Sequence, residues 1–463
     1  MKGDFSRLTF DPKKRYTRVL LQQGRVQLDA DWNEMVEIHC HDLRNVMRDL
    51  IGPHGGPINN CGFRISGSGE NTRQKGQLRR AKLHLRRGDF LIGKGRYYVN
   101  GIACENACET TYCTQPDLPS KPLKKGVYLV YLNVWERHIT YIEDHEIREV
   151  ALGGPDTTTR TRVVWQVKAH KLARSMTCVA IKRSWQDLIH KWQPKNRGML
   201  AAIAESSPGI TPADRGYSGS ENHLYRIEIH KAGRITKKPT FKWSRNNGTV
   251  AYKIHSIDVD TSSDTTRLTL DRPSQSISLS LQLQDWVEVL DDYCVLEAKP
   301  GSLLQVKEID EAESRVTLQG LCSGSICRDQ SRLCLMRRWE QKKGNGSQIQ
   351  DGAIVIKEGL GENSWLDLER GIRIRFDPGG KYRTGDYWLI PARAVTGGIE
   401  WPCSHGSPLA RTPFGICHHF APLSIINVDA LGSVSARDCR SAFRLKSQRP
   451  VVIRRKPRSP SGK

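Results

Sequence analysis

Apolar and polar positions alternate with two different periods along this chain, and the change of period falls near residue 51. Between Asp31 and Gly52, Trp32, Met35, Val36, His39, Leu43, Val46, Met47 and Leu50 recur at a spacing near 3.6, which predicts one amphipathic helix. Asp31 is the candidate N-cap, with Glu34 three residues on closing a capping box, and Gly52-Pro53 ends the helix. Before it, Arg18–Leu21 and Arg25–Leu28 read as short strands about Gln23-Gly24. After residue 60 the pattern is that of strands. The run 127–135 is almost continuously apolar, which suits a strand buried on both faces, and 161–167 supplies a second. Short strands with turns at regular spacing follow at 224–229, 249–257, 267–270, 286–290, 303–309 and 315–318, a pattern that predicts a small barrel or sandwich. Further strands are expected at 90–92, 96–99, 354–358, 371–376 and 387–390, and a short helix at 184–191. Asn100-Gly101 and Asn247-Gly248 are hairpin signals.

The expected fold is therefore mainly β: several small β-sandwich or barrel-like modules behind an N-terminal arm and one amphipathic helix. The boundaries read from turns and composition are an arm plus helix at 1–60, a small β module at 61–125 with a Cys cluster and a Pro-rich exit, and a β module at 126–215. A barrel or sandwich follows at 216–345, then a C-terminal β module at 346–443 and a disordered basic tail at 444–463.

Composition narrows the function classes. The 463 residues carry a formal net charge of +23, which favours anionic partners. The excess gathers in 73–96 and in the tail from Arg440. It is not interleaved with exposed aromatics and carries no nucleic-acid motif, so a solvated basic face is the plainer reading. No run of about 18 apolar residues predicts a membrane span, and the start M-K-G-D-F-S-R has no apolar signal core. Cytoplasmic synthesis without a signal peptide is the expectation. Thirteen cysteines occur with no C-x-x-C pair, and without a secretory signal free thiols are expected.

Candidate chemistry is sparse. Asp29, Asp31 and Glu34 fit capping and pairing roles better than a glycosidase acid pair. Cys403, His405, Cys417, His418 and His419 form a weak zinc candidate, because neighbouring strand histidines point to opposite faces. No other cofactor is indicated. The tryptophans mostly sit among apolar strand residues and read as core, with Trp401-Pro402 left as the candidate for exposure. No P-loop, nucleophile elbow, H-E-x-x-H or placed dinucleotide fingerprint is present, so an enzyme is the less favoured reading.

The opening G-D-F-S-R-L-T-F-D-P-K-K, running on to V-Q-L-D-A-D-W-N-E, resembles a bacterial family of unknown function whose members are often encoded beside contractile injection systems, the phage-tail-like particles. Residues 128–167, 221–230, 241–248, 379–393 and 415–423 resemble its later blocks in the same order. The resemblance implies a structural or adaptor part of the baseplate or tail. Such a part would be oligomeric among other protein subunits of a particle that can be released, and would dock through the arm. Arg7, Arg25, Asp29, Asp31 and Trp32 are then the interface candidates. A glycan-binding or glycan-cleaving surface module, and an anion- or nucleic-acid-binding protein, remain as alternatives.

Overall fold

The computed structural model describes residues 1–67, 85–173, 176–193, 197–205, 216–271, 277–327, 329, 332–342 and 348–444. Residues 73–84 of the basic run, 206–215 of the central loop and the tail beyond Arg444 lie outside the described residues. The fold is mainly β, with several sheets and one closed barrel.

The apolar run predicted as a doubly buried strand spans Gly126–Ile139. It sits between His419–Val428 and Arg160–Lys171 in a four-stranded antiparallel sheet. Pro422 is accommodated because the register shifts between it and Ser424, a bulge where the missing N–H is tolerated. One face of this sheet and the smaller sheet of His54–Pro57, Gly95–Val99 and Ile102–Asn106 enclose a core of Phe63, Phe90, Tyr97, Val130, Trp165 and Leu423. The helix Cys178–Trp192, longer than its sequence pattern predicted, places Ile181 and Trp185 against the other face.

A second sheet joins His223–Lys231 to Thr240–Ser244 on one side and Tyr387–Arg393 on the other, over a core of Tyr225, Phe241, Trp243, Phe376 and Trp388. Between Thr240–Ser244 and the continuation of this sheet, the chain leaves to form the closed six-stranded barrel, whose strands run from Ala251 to Trp339. Leu268, Val287, Val306, Val316, Leu318 and Met336 fill it.

The two Asn-Gly signals divide. At Asn100-Gly101 both residues take positive φ (49° and 82°) and join strands that do pair, Val99 facing Ile102. Gly101 also meets the N-terminal helix so closely that an added Cβ would lie 2.6 Å from the Arg44 carbonyl oxygen. Asn247 and Gly248 take the same conformation, with φ of 49° and 67°, yet the flanking strands lie in different sheets. That turn is a corner between sheet and barrel, not a hairpin. Local backbone chemistry is identical in the two cases, and the partner strand decides which results.

The helix spans Asp29–Ile51, three residues earlier than Asp31 as N-cap requires. Leu28 holds the cap position, and Asp31 accepts from its backbone N–H at 3.4 Å. Glu34 instead accepts from Thr9 Oγ1 at 2.5 Å. The expected strands at 18–21 and 25–28 do not form; the stretch has only local bonds such as Arg25 N–H to the Gln22 carbonyl. An isolated two-stranded ribbon without a covered face is marginal in water.

Two cysteine pairs correct the free-thiol expectation: Cys178–Cys439 and Cys327–Cys334 are disulfides. The first pair is 261 residues apart, and it meets only because the chain's last long strands return beside the start of the second helix. The Cys104, Cys108 and Cys113 group remains as thiols.

Candidate functional site

The arm has two halves of opposite character. Residues 1–10 lie against the protein's own body. The Met1 carbonyl accepts from Arg226 at 2.8 Å, the Gly3 carbonyl from Asn247 Nδ2 at 2.8 Å and the Ser6 carbonyl from Arg393 at 3.0 Å. The corner turn at Asn247 is thus the clamp on the arm. Phe5 packs on Leu224, Tyr387 and Leu389. Ser6 then binds Asp29, Thr9 binds Glu34, and Phe10 lies on His41, 5.6 Å between ring centres. These contacts hold the arm along one side of the helix.

Residues 12–28 do the reverse. All are exposed except Val19, and they include Tyr16, Leu20, Leu21, Val26 and Leu28. The helix that follows buries only Ala30 and Ile38. Its apolar stripe points outward: Trp32 is 56% exposed, Val36 44%, Leu43 57%, Val46 50% and Leu50 75%. At 100° per residue these five fall within an arc of about 80°. The periodicity located the face correctly; what it could not say is that none of the described residues covers it.

Of the interface candidates, Arg7 pairs with Glu400 at 3.3 Å, Asp29 accepts from Ser6, and Asp31 serves the helix start. Arg25 and Trp32 face solvent. The structure does not bring the zinc candidates together. Cys403, His405 and Cys417 are exposed. His418 Nδ1 bonds Asn133 at 2.9 Å and His419 Nδ1 bonds Asn100 at 3.0 Å, and burial lowers these imidazoles to about 3 and about 4. Among the described residues no group of three His, Cys, Asp or Glu could hold a metal ion. Trp135, Trp165, Trp243, Trp339 and Trp388 are core. Trp401 is half-buried, its indole N–H donating to the Leu409 carbonyl at 2.9 Å. Among the described residues no helix is long and apolar enough to cross a membrane.

A cleft of about 400 Å³ opens where the helix, the long sheet, the second sheet and the barrel meet. Sequence reasoning missed it, because its walls come from stretches scattered along the chain from Met1 to His419. Its inner end holds a buried ionic set. Arg226 donates to Glu228 at 2.6 Å, Lys2 lies 3.1 Å from Glu228, and Lys242 lies 2.5 Å from Glu288 and 3.4 Å from Glu228. Trp339 Nε1 donates to Glu288 at 3.1 Å. Burial opposes both carboxylates, but Lys2 and Arg226 around Glu228, and Lys242 beside Glu288, hold them well below the usual range. A sugar-cleaving acid pair needs one carboxyl kept protonated, and these two are fixed as anions. The single-sequence signal for the set was faint: charged residues at 226, 228, 242 and 288 inside otherwise apolar strands.

Residues 1–190 and 177–456 match the model of a family described as a family of unknown function, DUF6519. No curated protein and no solved structure matches the chain.

Proposed function

The chain belongs to that family, and from this premise we propose that it is a non-enzymatic assembly component that docks on a neighbouring protein subunit through residues 12–28 and the outer stripe of its first helix. The observation that carries the reading is the stripe of Trp32, Val36, Leu43, Val46 and Leu50, open to solvent beside an exposed arm that sets Tyr16, Leu20, Leu21, Val26 and Leu28 among the cations Lys13, Lys14, Arg15, Arg18 and Arg25. A stripe this regular on a monomer marks a surface meant to be covered. The tip of the arm is clamped to the protein's own body, so its outer half leaves from a fixed point and is presented in a fixed direction. The assembly we infer is a phage-tail-like contractile injection particle, the setting the sequence resemblance implies.

Fully burying one such side chain is worth roughly 1.5–3 kcal/mol, so five that are about half exposed offer roughly 4–7 kcal/mol. The test is isolation of the C-terminally tagged protein from its native cells, with and without Val36→Asp/Leu43→Asp. The wild type should co-purify with sheath or baseplate subunits. The variant, melting as the wild type does, should lose at least about 2 kcal/mol, or roughly 30-fold in affinity. A wild-type protein never found with such a particle, or a variant that still assembles, refutes the proposal.

A further inference from the structure

The stripe on the first helix has a finer pattern than amphipathicity requires. Trp32, Val36, His39, Leu43, Val46 and Leu50 follow one another in steps of four, three, four, three and four residues, and all six are exposed. Alternating threes and fours repeat every seven residues, the seam along which one helix lies beside another in a coiled coil. Val36, Leu43 and Leu50 take the a positions of that repeat, and Trp32, His39 and Val46 the d positions.

The helix is seated so that the seam stays free along its length. At 100° per residue, the two residues it buries, Ala30 and Ile38, centre roughly 200° round from Trp32, on the far side. Glu34 and His41, which meet Thr9 and Phe10 of the arm, lie on that far side too. From Trp32 to Leu50 the open seam runs about 27 Å at 1.5 Å per residue.

Its two edges differ. The g positions, one before each a, are Met35, Asp42 and Asp49; the e positions, one after each d, are Asn33, Cys40 and Met47. Asp42 and Asp49 are exposed and form no ion pair among the described residues. A second copy of this chain does not complement that edge. Antiparallel pairing sets g against g, and so aspartate against aspartate. Parallel pairing sets g against the e position of the next heptad, and so Asp42 against Met47. Neither edge carries a cation.

We infer that the occupant of this face is an α-helix of a different protein, apolar at its own a and d positions and bearing Lys or Arg at the flanking positions that meet Asp42 and Asp49. The inference rests on the docking reading above and narrows it to a helix laid lengthwise on the seam, crossing at about 20°. The apolar side chains supply the contact area. The two aspartates select the charge of the partner and oppose a like-charged one, as e and g residues do in coiled coils. A single polar residue within a seam disfavours slipped registers, and His39 holds that place.

The probe is a synthetic three-heptad helix with Leu at a and d and Lys at every e and g. It is compared with the same peptide carrying Glu at e and g, and with a scrambled Lys peptide. Like charges keep each peptide from pairing with itself. Titrated calorimetrically into the full chain, the Lys peptide should bind saturably, about tenfold or more tighter than the Glu peptide, even though the net charge of +23 favours the Glu peptide everywhere else. The scrambled peptide should not saturate. Asp42→Lys/Asp49→Lys, two changes at exposed positions, should invert the preference, and Val36→Asp/Leu43→Asp should abolish binding of both helices. No saturable binding, equal affinity for the two helices, or a preference that survives the charge reversal overturns the inference. The docking reading fails separately: it stands if Val36→Asp/Leu43→Asp releases the particle subunits from the native complex, whatever the peptides do.

Discussion

Replacing Glu288 by glutamine removes one charge from the buried set while keeping size and one acceptor oxygen. In the native protein Glu288 accepts from Lys242 at 2.5 Å, from Trp339 Nε1 at 3.1 Å and from the Gly301 N–H at 3.2 Å. The amide can retain the Trp339 or Gly301 bond, but Lys242 keeps only its longer contact with Glu228, 3.4 Å. Removing one partner of a buried ion pair costs about 3–5 kcal/mol. Because Glu228 still faces Lys242, the lower end applies, about 3 kcal/mol. With about 2.1 cal/mol/K of unfolding entropy per residue, 1 kcal/mol is worth roughly 1 °C in a chain of 463 residues, so the melting temperature should fall by about 3 °C. Lys242→Met/Glu288→Gln removes both charges and should recover at least half of that loss, since an ion pair replaced as a whole is often close to neutral. Thermal melts followed by circular dichroism, with the three variants compared in a double-mutant cycle, give the coupling directly. A Glu288→Gln protein that melts within about 1 °C of wild type would show that the pair is not the junction's electrostatic anchor, and a double variant less stable than the sum of the singles would refute the pairing itself.

Two further outcomes follow from the same geometry. Asn247→Ala removes the bonds to the Gly3 carbonyl and from Arg226 and strains a φ of 49°, so it should cost about 1–3 kcal/mol and free the arm's tip, read as faster limited proteolysis before residue 12 with the barrel still intact. Stability should fall as acid is added: His54, His138, His418 and His419 are lowered by burial to about 4, 3, 3 and 4, so from pH 6.5 downward the unfolded chain takes protons that the native one refuses. Glu228 and Glu288, depressed in the native state, contribute stability above the unfolded value of 4.5 that is lost as pH drops below it, so the slope steepens there. A denaturation midpoint flat between pH 7 and pH 4 would contradict these assignments.

What the sequence by itself determined here is local. The period-2 runs placed five of the six barrel strands, though not Cys334–Trp339, the 3.6-residue period placed the first helix, and Asn-Gly fixed two positive-φ turns, because each depends on neighbours within a few residues. It also marked the outer stripe of the helix residue by residue. Tertiary structure alone decided whether that stripe met a core or solvent, and whether an Asn-Gly turn closed a hairpin or a corner. It alone brought Cys439 to Cys178, clamped the first residues under Asn247, and gathered Lys2, Arg226, Lys242, Glu288 and Arg337 around one cleft. Each of these is a pairing across long stretches of chain, and a side chain's own neighbours carry no record of what the fold will set opposite it.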